Sequence, residues 1–245
     1  MRYVLAVTSA ALLASISACE HKTTSASETV TPDGHKTQAP AGVEVARADR
    51  ALIRFINADP AGKPRELWSI DSRLFFNVPY KTITPYVDVP TKVLQFRVRE
   101  TDGPEDLVIA REELFAGRHY TLVAIPRGDG TSILLKISDD LNQPKPGDAK
   151  IRVINATSGV DNLDLYRAGS KKKIEKGVDA DVSTAFTEVE PGMFEIRPAK
   201  QPVAPRLTKL RVEADRFYTF VVVGRTNELD VVPIEDKLND ESASN

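Results

Sequence analysis

One cysteine and three histidines in 245 residues leave little material for thiol or imidazole chemistry. A single Cys rules out an intramolecular disulfide framework and any cysteine-cluster metal site. Positive charge is not in excess either. The 33 Lys and Arg face 35 Asp and Glu, a formal charge of -2, which speaks against a general nucleic-acid binder. The signatures of the nucleophile elbow, the zinc proteases, the phosphate-binding loop and the dinucleotide fold are all missing. Aromatic residues make up only 7%, enough for a modest core. What is present is an ordinary soluble composition, 41% hydrophobic and 28% charged, in a chain longer than one typical domain.

The first apolar run, Tyr3 to Ala14 behind Arg2, is shorter than the roughly 20 residues a spanning helix needs. It has the make-up of a secretory signal over residues 1–18. The lone cysteine, Cys19, closes it after Ile16-Ser17-Ala18. An aliphatic residue, two small residues and Cys resemble the bacterial lipobox. That resemblance implies cleavage before Cys19, a lipid on Cys19 and attachment to a membrane. Glu20 stands where an Asp resembles an inner-membrane retention signal, so the resemblance leans towards the outer membrane, facing the periplasm or the cell surface. Residues 19–49 hold almost no large apolar side chains and read as a flexible tether. His21 and His35 fall there, too far apart to suggest a metal site.

The remainder is one unit written twice. Ile53-Arg54-Phe55-Ile56-Asn57-Ala58 returns as Ile151-Arg152-Val153-Ile154-Asn155-Ala156, and Tyr120-Thr121-Leu122-Val123 as Tyr218-Thr219-Phe220-Val221, both 98 residues on. Phe96 to Arg99 matches Phe194 to Arg197 at that spacing, and Ile137 to Leu141 matches Ile234 to Leu238 at 97. The repeats are placed at 50–142 and 149–238, each long enough for its own small core, with a tail at 239–245. Short apolar runs rich in β-branched and aromatic residues, broken by Gly, Pro and Asp turns, predict an all-β chain of two tandem β-sandwiches. Glu105 to Phe115 is the nearest approach to a helical pattern, and a strand followed by a loop fits it as well. The turn before Tyr120 recurs before Tyr218, which looks like a tyrosine corner in each repeat; a merely buried Tyr is the alternative.

Three features together resemble the domain of unknown function 4397 family: Ile-Arg-Val-Ile-Asn-Ala, then Asn77-Val78-Pro79-Tyr80, then Ala116-Gly117-x-x-Tyr120-Thr121. The resemblance covers about residues 50 to 238. It implies immunoglobulin-like envelope domains, often lipoproteins and often in tandem, and no activity. At the spacing of 98, Glu175-Lys176-Gly177-Val178 stands where Asn77 to Tyr80 would.

The search for chemistry yields no catalytic residue, cofactor or metal. His119 is replaced by Phe217 in the second repeat, so its position accepts an apolar ring. Asp161, Asn162 and Asp164 lack the spacing of a helix-loop-helix calcium site. Lys171-Lys172-Lys173 with Lys176 reads as a solvated strand edge, with an anionic partner as the other reading. The first repeat carries Trp68, Phe75, Phe76, Tyr80 and Tyr86, against Tyr166, Lys173, Ile174, Val178 and Thr184 at the same spacing. Trp68, Tyr80 and Tyr86 are the candidate ligand-binding residues; core packing or contact between the repeats would account for them as well. The expected function is a non-catalytic, lipid-anchored envelope module that binds or scaffolds a protein or glycan partner, not nucleic acid. A hydrolase of envelope polymers using a carboxylate pair is the alternative. A structural subunit packed against another envelope protein is a third reading.

Overall fold

The computed structural model describes residues 49–60, 63–139, 142–199 and 207–236. The signal segment, Cys19, all of the tether but Asp49, and the tail lie outside the described residues.

Every regular element among the described residues is a strand. The first repeat contains β1 (Arg50–Asn57), β2 (Arg65–Ser69), β3 (Ser72–Val78), β4 (Val87–Pro90), β5 (Val93–Glu100), β6 (Asp106–Glu113), β7 (His119–Pro126) and β8 (Ser132–Ser138). The second contains β9 (Ala149–Thr157), β10 (Leu163–Arg167), β11 (Lys173–Val178), β12 (Val182–Ser183), β13 (Thr187–Val189), β14 (Gly192–Pro198), β15 (Leu207–Val212), β16 (Phe217–Arg225) and β17 (Glu228–Asp236). The segment with the faint helical pattern is β6, whose partly buried Val108 and Ala110 pack on the core.

Each repeat is a sandwich of two sheets. In the first, β4-β1-β7-β8 faces β3-β2-β5-β6; in the second, β12 and β13 with β9-β16-β17 face β11-β10-β14-β15. The first long strand of each repeat runs parallel to the second-last, β1 beside β7 and β9 beside β16. Alternation sends Ile53, Phe55, Leu67, Phe96, Val98 and Leu122 into the first core. Ile151, Val153, Leu165, Phe194, Phe220 and Val222 fill the second.

The opposite faces of β1, β7, β9 and β16 are not solvated. Ile56, Val123, Ile125 and Ile137 of the first repeat meet Ile154, Val221, Val223 and Ile234 of the second in a third apolar cluster. Each repeat has the small core of its own that the sequence leads one to expect. In addition the repeats share a layer, and both belong to a single compact unit. A fully buried Val or Ile contributes about 1.5–3 kcal/mol, so this layer joins the repeats rather than merely touching them.

Repeated backbone features match the two copies residue by residue. Positive φ recurs at Asn77 (53°) and Gly177 (63°), at Lys81 (65°) and Asp181 (64°), and at Gly117 (67°) and Asp215 (59°). The β10–β11 hairpin is two residues longer than the β2–β3 hairpin, so spacing along β3 and β4 is 100 rather than 98. Asn77-Val78-Pro79-Tyr80 therefore corresponds to Gly177-Val178-Asp179-Ala180, and Tyr86 to Phe186 rather than Thr184. Matching side-chain roles fix this: Asn57 Nδ2 donates to the Val78 carbonyl and Asn155 Nδ2 to that of Val178, each at 3.0 Å. Thr84 Oγ1 accepts from Phe55 N as Thr184 Oγ1 does from Val153 N.

Candidate functional site

Ionisable side chains with chemical potential converge at one place, inside the layer between the repeats. Arg54 on β1 donates from Nε to Thr121 Oγ1 on β7 at 2.8 Å, and Thr121 Oγ1 donates to Asp139 Oδ2, just past β8, at 2.7 Å. The second repeat copies this: Arg152 Nε reaches Thr219 Oγ1 at 2.8 Å, and Thr219 Oγ1 reaches Asp236 Oδ2 at 2.8 Å. The ion pairs then cross. Arg54 Nη2 lies 2.5 Å from Asp236 Oδ1, and Arg152 Nη2 pairs with Asp139 Oδ1. No side chain of the four is more than 5% exposed.

An aromatic ring covers each arginine. The Arg54 guanidinium lies 4.8 Å from the Tyr86 centroid, and that of Arg152 lies 4.6 Å from Phe186. Tyr86 sits edge-on to His119, as Phe186 does to Phe217. Tyr86 Oη donates to Asp139 Oδ2 at 2.8 Å. Burial, with Asp139 beside it, raises the Tyr86 hydroxyl far above the ordinary phenol value. Burial also lowers the His119 ring below the ordinary imidazole value. Burial alone would raise the Asp139 carboxyl, but Arg152 and Arg54 outweigh it and hold the group below the usual carboxylate value. A general acid needs the opposite shift. This cluster is built as a clamp.

A different surface lies on the far side of the first sandwich. On β3-β2-β5-β6 the side chains facing away from the core include Trp68, Arg73, Phe76, Arg97, Arg99 and Ile109. Arg73 lies over two rings, 5.6 Å from the Trp68 centroid and 4.2 Å from that of Phe76, while Arg99 approaches Trp68 at 5.6 Å. The Trp68 indole N–H donates to Glu66 Oε2 at 2.7 Å, which fixes the ring. Arg99 Nε donates to Asp106 Oδ1 at 2.5 Å. Phe76 is 50% exposed and Ile109 56%. With Val93 on β5 and Ile70 in the β2–β3 turn, four of the seven large exposed hydrophobics among the described residues belong to this sheet or its edge. Such a patch on a small protein marks an interaction surface more often than chance exposure does.

The three candidate aromatics are not assembled into one platform. Trp68 stands on this outer sheet and is half-buried. Tyr80 packs against the cluster between the repeats, and Lys81 beside it reaches across to Asp230. Tyr86 belongs to the buried clamp. Sequence reasoning missed Arg54, Arg152, Asp139 and Asp236, although an arginine recurring inside an apolar strand of both repeats was a readable signal. It also missed Arg73 and Arg99.

Tyr120 Oη accepts from Phe115 N at 3.2 Å, and Tyr218 Oη from Glu213 N at 3.3 Å, so each hydroxyl pins the turn five residues upstream. Asp164 is occupied by Gly177 N and Lys173 Nζ, and Asp161 by Ala180 N. No group of His, Cys, Asp and Glu able to hold a metal occurs among the described residues. Lys171 and Lys172 are exposed beside the edge strand β11.

Comparison with protein families places the model of one family, described as a domain of unknown function (DUF4397), on residues 51–166 and again on 151–245. No curated protein matches the chain.

Proposed function

The chain belongs to the DUF4397 family of domains of unknown function, and from that premise we propose that it is a non-catalytic, lipid-anchored module of the cell envelope, built to bind or scaffold a protein or glycan partner. Cys19 carries the lipid and residues 20–48 form the tether, with outer-membrane attachment favoured by Glu20. The two immunoglobulin-like sandwiches act as one rigid head, and the outer sheet of the first repeat is its working surface.

The observation that carries this reading is the contrast between the two outer sheets. Trp68, Arg73, Phe76 and Arg97 on the first correspond to Tyr166, Lys173, Lys176 and Glu195 on the second. The stack of Trp68 under Arg99 recurs as Tyr166 under Arg197 at 4.0 Å, but the fold does not require Arg73, Phe76 and Arg97, since the second repeat is built without them. The competing hydrolase would need an accessible acid pair. The nearest buried pair, Asp139 and Asp236, is sealed from solvent and bridged by arginines.

Two results test the proposal in one experiment on envelope fractions. A Cys19→Ser chain is expected to leave the membrane fraction for the soluble one, because a multiply acylated anchor binds far more tightly than protein contacts alone. The lipidated chain with Phe76→Ala and Ile109→Ala is expected to stay on the membrane. It should lose roughly ten-fold or more in partner capture from detergent-solubilised envelopes or on a glycan array, with an unchanged Tm. A Cys19→Ser chain that stays with membranes through high salt and alkali refutes the anchor. Capture that survives the double substitution refutes the surface.

A further inference from the structure

The outer sheet of the first repeat has a composition that narrows its partner. All the cations on that face are arginines: Arg73, Arg97, Arg99 and Arg111. Specific protein interfaces are enriched in aromatic residues and Arg and depleted in Lys. Exposed acids are interspersed among them, namely Glu113 and Asp106, which Arg99 holds, with Asp71 at the edge beside Arg97. The face is therefore close to neutral. A polyanion or an anionic membrane would meet these carboxylates, and a sugar would find the Trp68 ring already approached by two guanidiniums. A surface carrying apolar groups and both signs of charge is instead complementary to itself.

We infer that this face docks against the same face of a second copy of the chain, forming a two-fold dimer. The inference rests on the reading of this sheet as the working surface. The molecule already contains the device on a smaller scale. Its two repeats stack sheet on sheet, with each arginine of one copy paired to an aspartate of the other across a pseudo-two-fold. In the dimer the two-fold brings the exposed Arg73 and Arg111 of one chain opposite exposed acids of its mate, Glu113 among them, around a centre of Phe76 and Ile109.

Size fits a reversible association. Four strands about 4.8 Å apart and about seven residues long present roughly 440 Å² of flat area per copy. With side-chain relief the pair buries on the order of 1,000 Å², the lower end for specific contacts. The stack ends there, because the corresponding sheet of the second repeat shows Lys173 and Lys176 to solvent. An isologous contact of this kind closes on itself and does not propagate into fibres.

The test is sedimentation equilibrium on the full chain carrying Cys19→Ser, which removes the lipid, from about 1 to 100 μM, the range expected of a small interface. The expected result is a monomer–dimer equilibrium within that range. Phe76→Glu and Ile109→Glu should each shift it at least ten-fold towards monomer, with Tm unchanged because both side chains project into solvent. Lys176→Glu, on the other outer sheet, should leave it alone. A protein that stays monomeric up to about 100 μM overturns the dimer. So does a dimer that survives Phe76→Glu and Ile109→Glu, or one that Lys176→Glu dissociates. A monomer that still captures a foreign partner through Phe76 and Ile109 overturns the dimer alone and leaves the binding surface standing.

Discussion

Replacing Asp139 with alanine is expected to destabilise the protein by about 3–5 kcal/mol, the usual cost of leaving a buried ionic partner uncompensated. For two repeats of this size that lowers Tm by roughly 6–20 °C. The cause is specific. Asp139 accepts from Thr121 and Tyr86 and pairs with Arg152 of the other repeat, so its loss strands a buried guanidinium and two hydroxyls at once. Charge matters more than shape here. Asp139→Leu combined with Arg152→Met should recover much of the loss, since well-packed apolar replacements of a buried pair are often neutral. The pH dependence has a definite sign. The folded-state carboxyl of Asp139 is held below its unfolded value, so its contribution is fully present above about pH 4. That contribution disappears as the pH falls through the folded value. Urea denaturation from pH 7 to pH 2.5 should therefore show a shallower acid limb in Asp139→Ala than in the unsubstituted chain. An unchanged limb and a loss below about 1 kcal/mol would mean that the ion pairs do not form in solution.

Gly224→Ala should be almost as damaging, at about 3 kcal/mol or more. Gly224 has φ +105°, and a Cβ there would overlap the Glu228 carbonyl oxygen across the β16–β17 hairpin. Its own carbonyl accepts from Ser158 N, which ties the hairpin to the end of β9. Relief would require moving β17, which carries Ile234 in the shared layer and Asp236 in the clamp. Gly128→Ala is the control. No atom lies within 4 Å of its added carbon, so it should stay within about 0.5 kcal/mol of the original chain. Equal urea midpoints for the two alanine variants would show that the hairpin register is not the one described.

The all-β class and the two-fold repetition were legible because they rest on local signals: period-two alternation, β-branched runs and turn residues recurring at a fixed spacing. The Ile-Arg-x-Ile-Asn-Ala motif was seen as a repeat mark, while its meaning lay in contacts far along the chain. In the first copy Ile53 fills the core and Arg54 clamps the opposite repeat. Ile56 and Ala58 line the shared layer, and Asn57 holds the end of β3. One clue to that layer was on view. Leu122-Val123-Ala124-Ile125 and Phe220-Val221-Val222-Val223 are apolar on both faces, the pattern of a strand covered on two sides. The choice of Tyr86 as a candidate binding residue rested on a spacing that the structure shifts by two. A two-residue difference in hairpin length hid its equivalence to Phe186, and a structural ring looked like a surplus one. Trp68, Phe76 and the two arginines that stack on them lie on three strands, so no short window of sequence brings them together.

Site-specific photo-cross-linking in intact cell envelopes tests the working surface most directly. A photoreactive residue placed at position 76 of the lipidated chain should yield a discrete adduct. The same residue at position 176, the corresponding place on the second repeat, should yield none. Adducts from 176 alone, equal adducts from both positions, or none from 76 would contradict the assignment of the first repeat's outer sheet as the surface through which this protein acts.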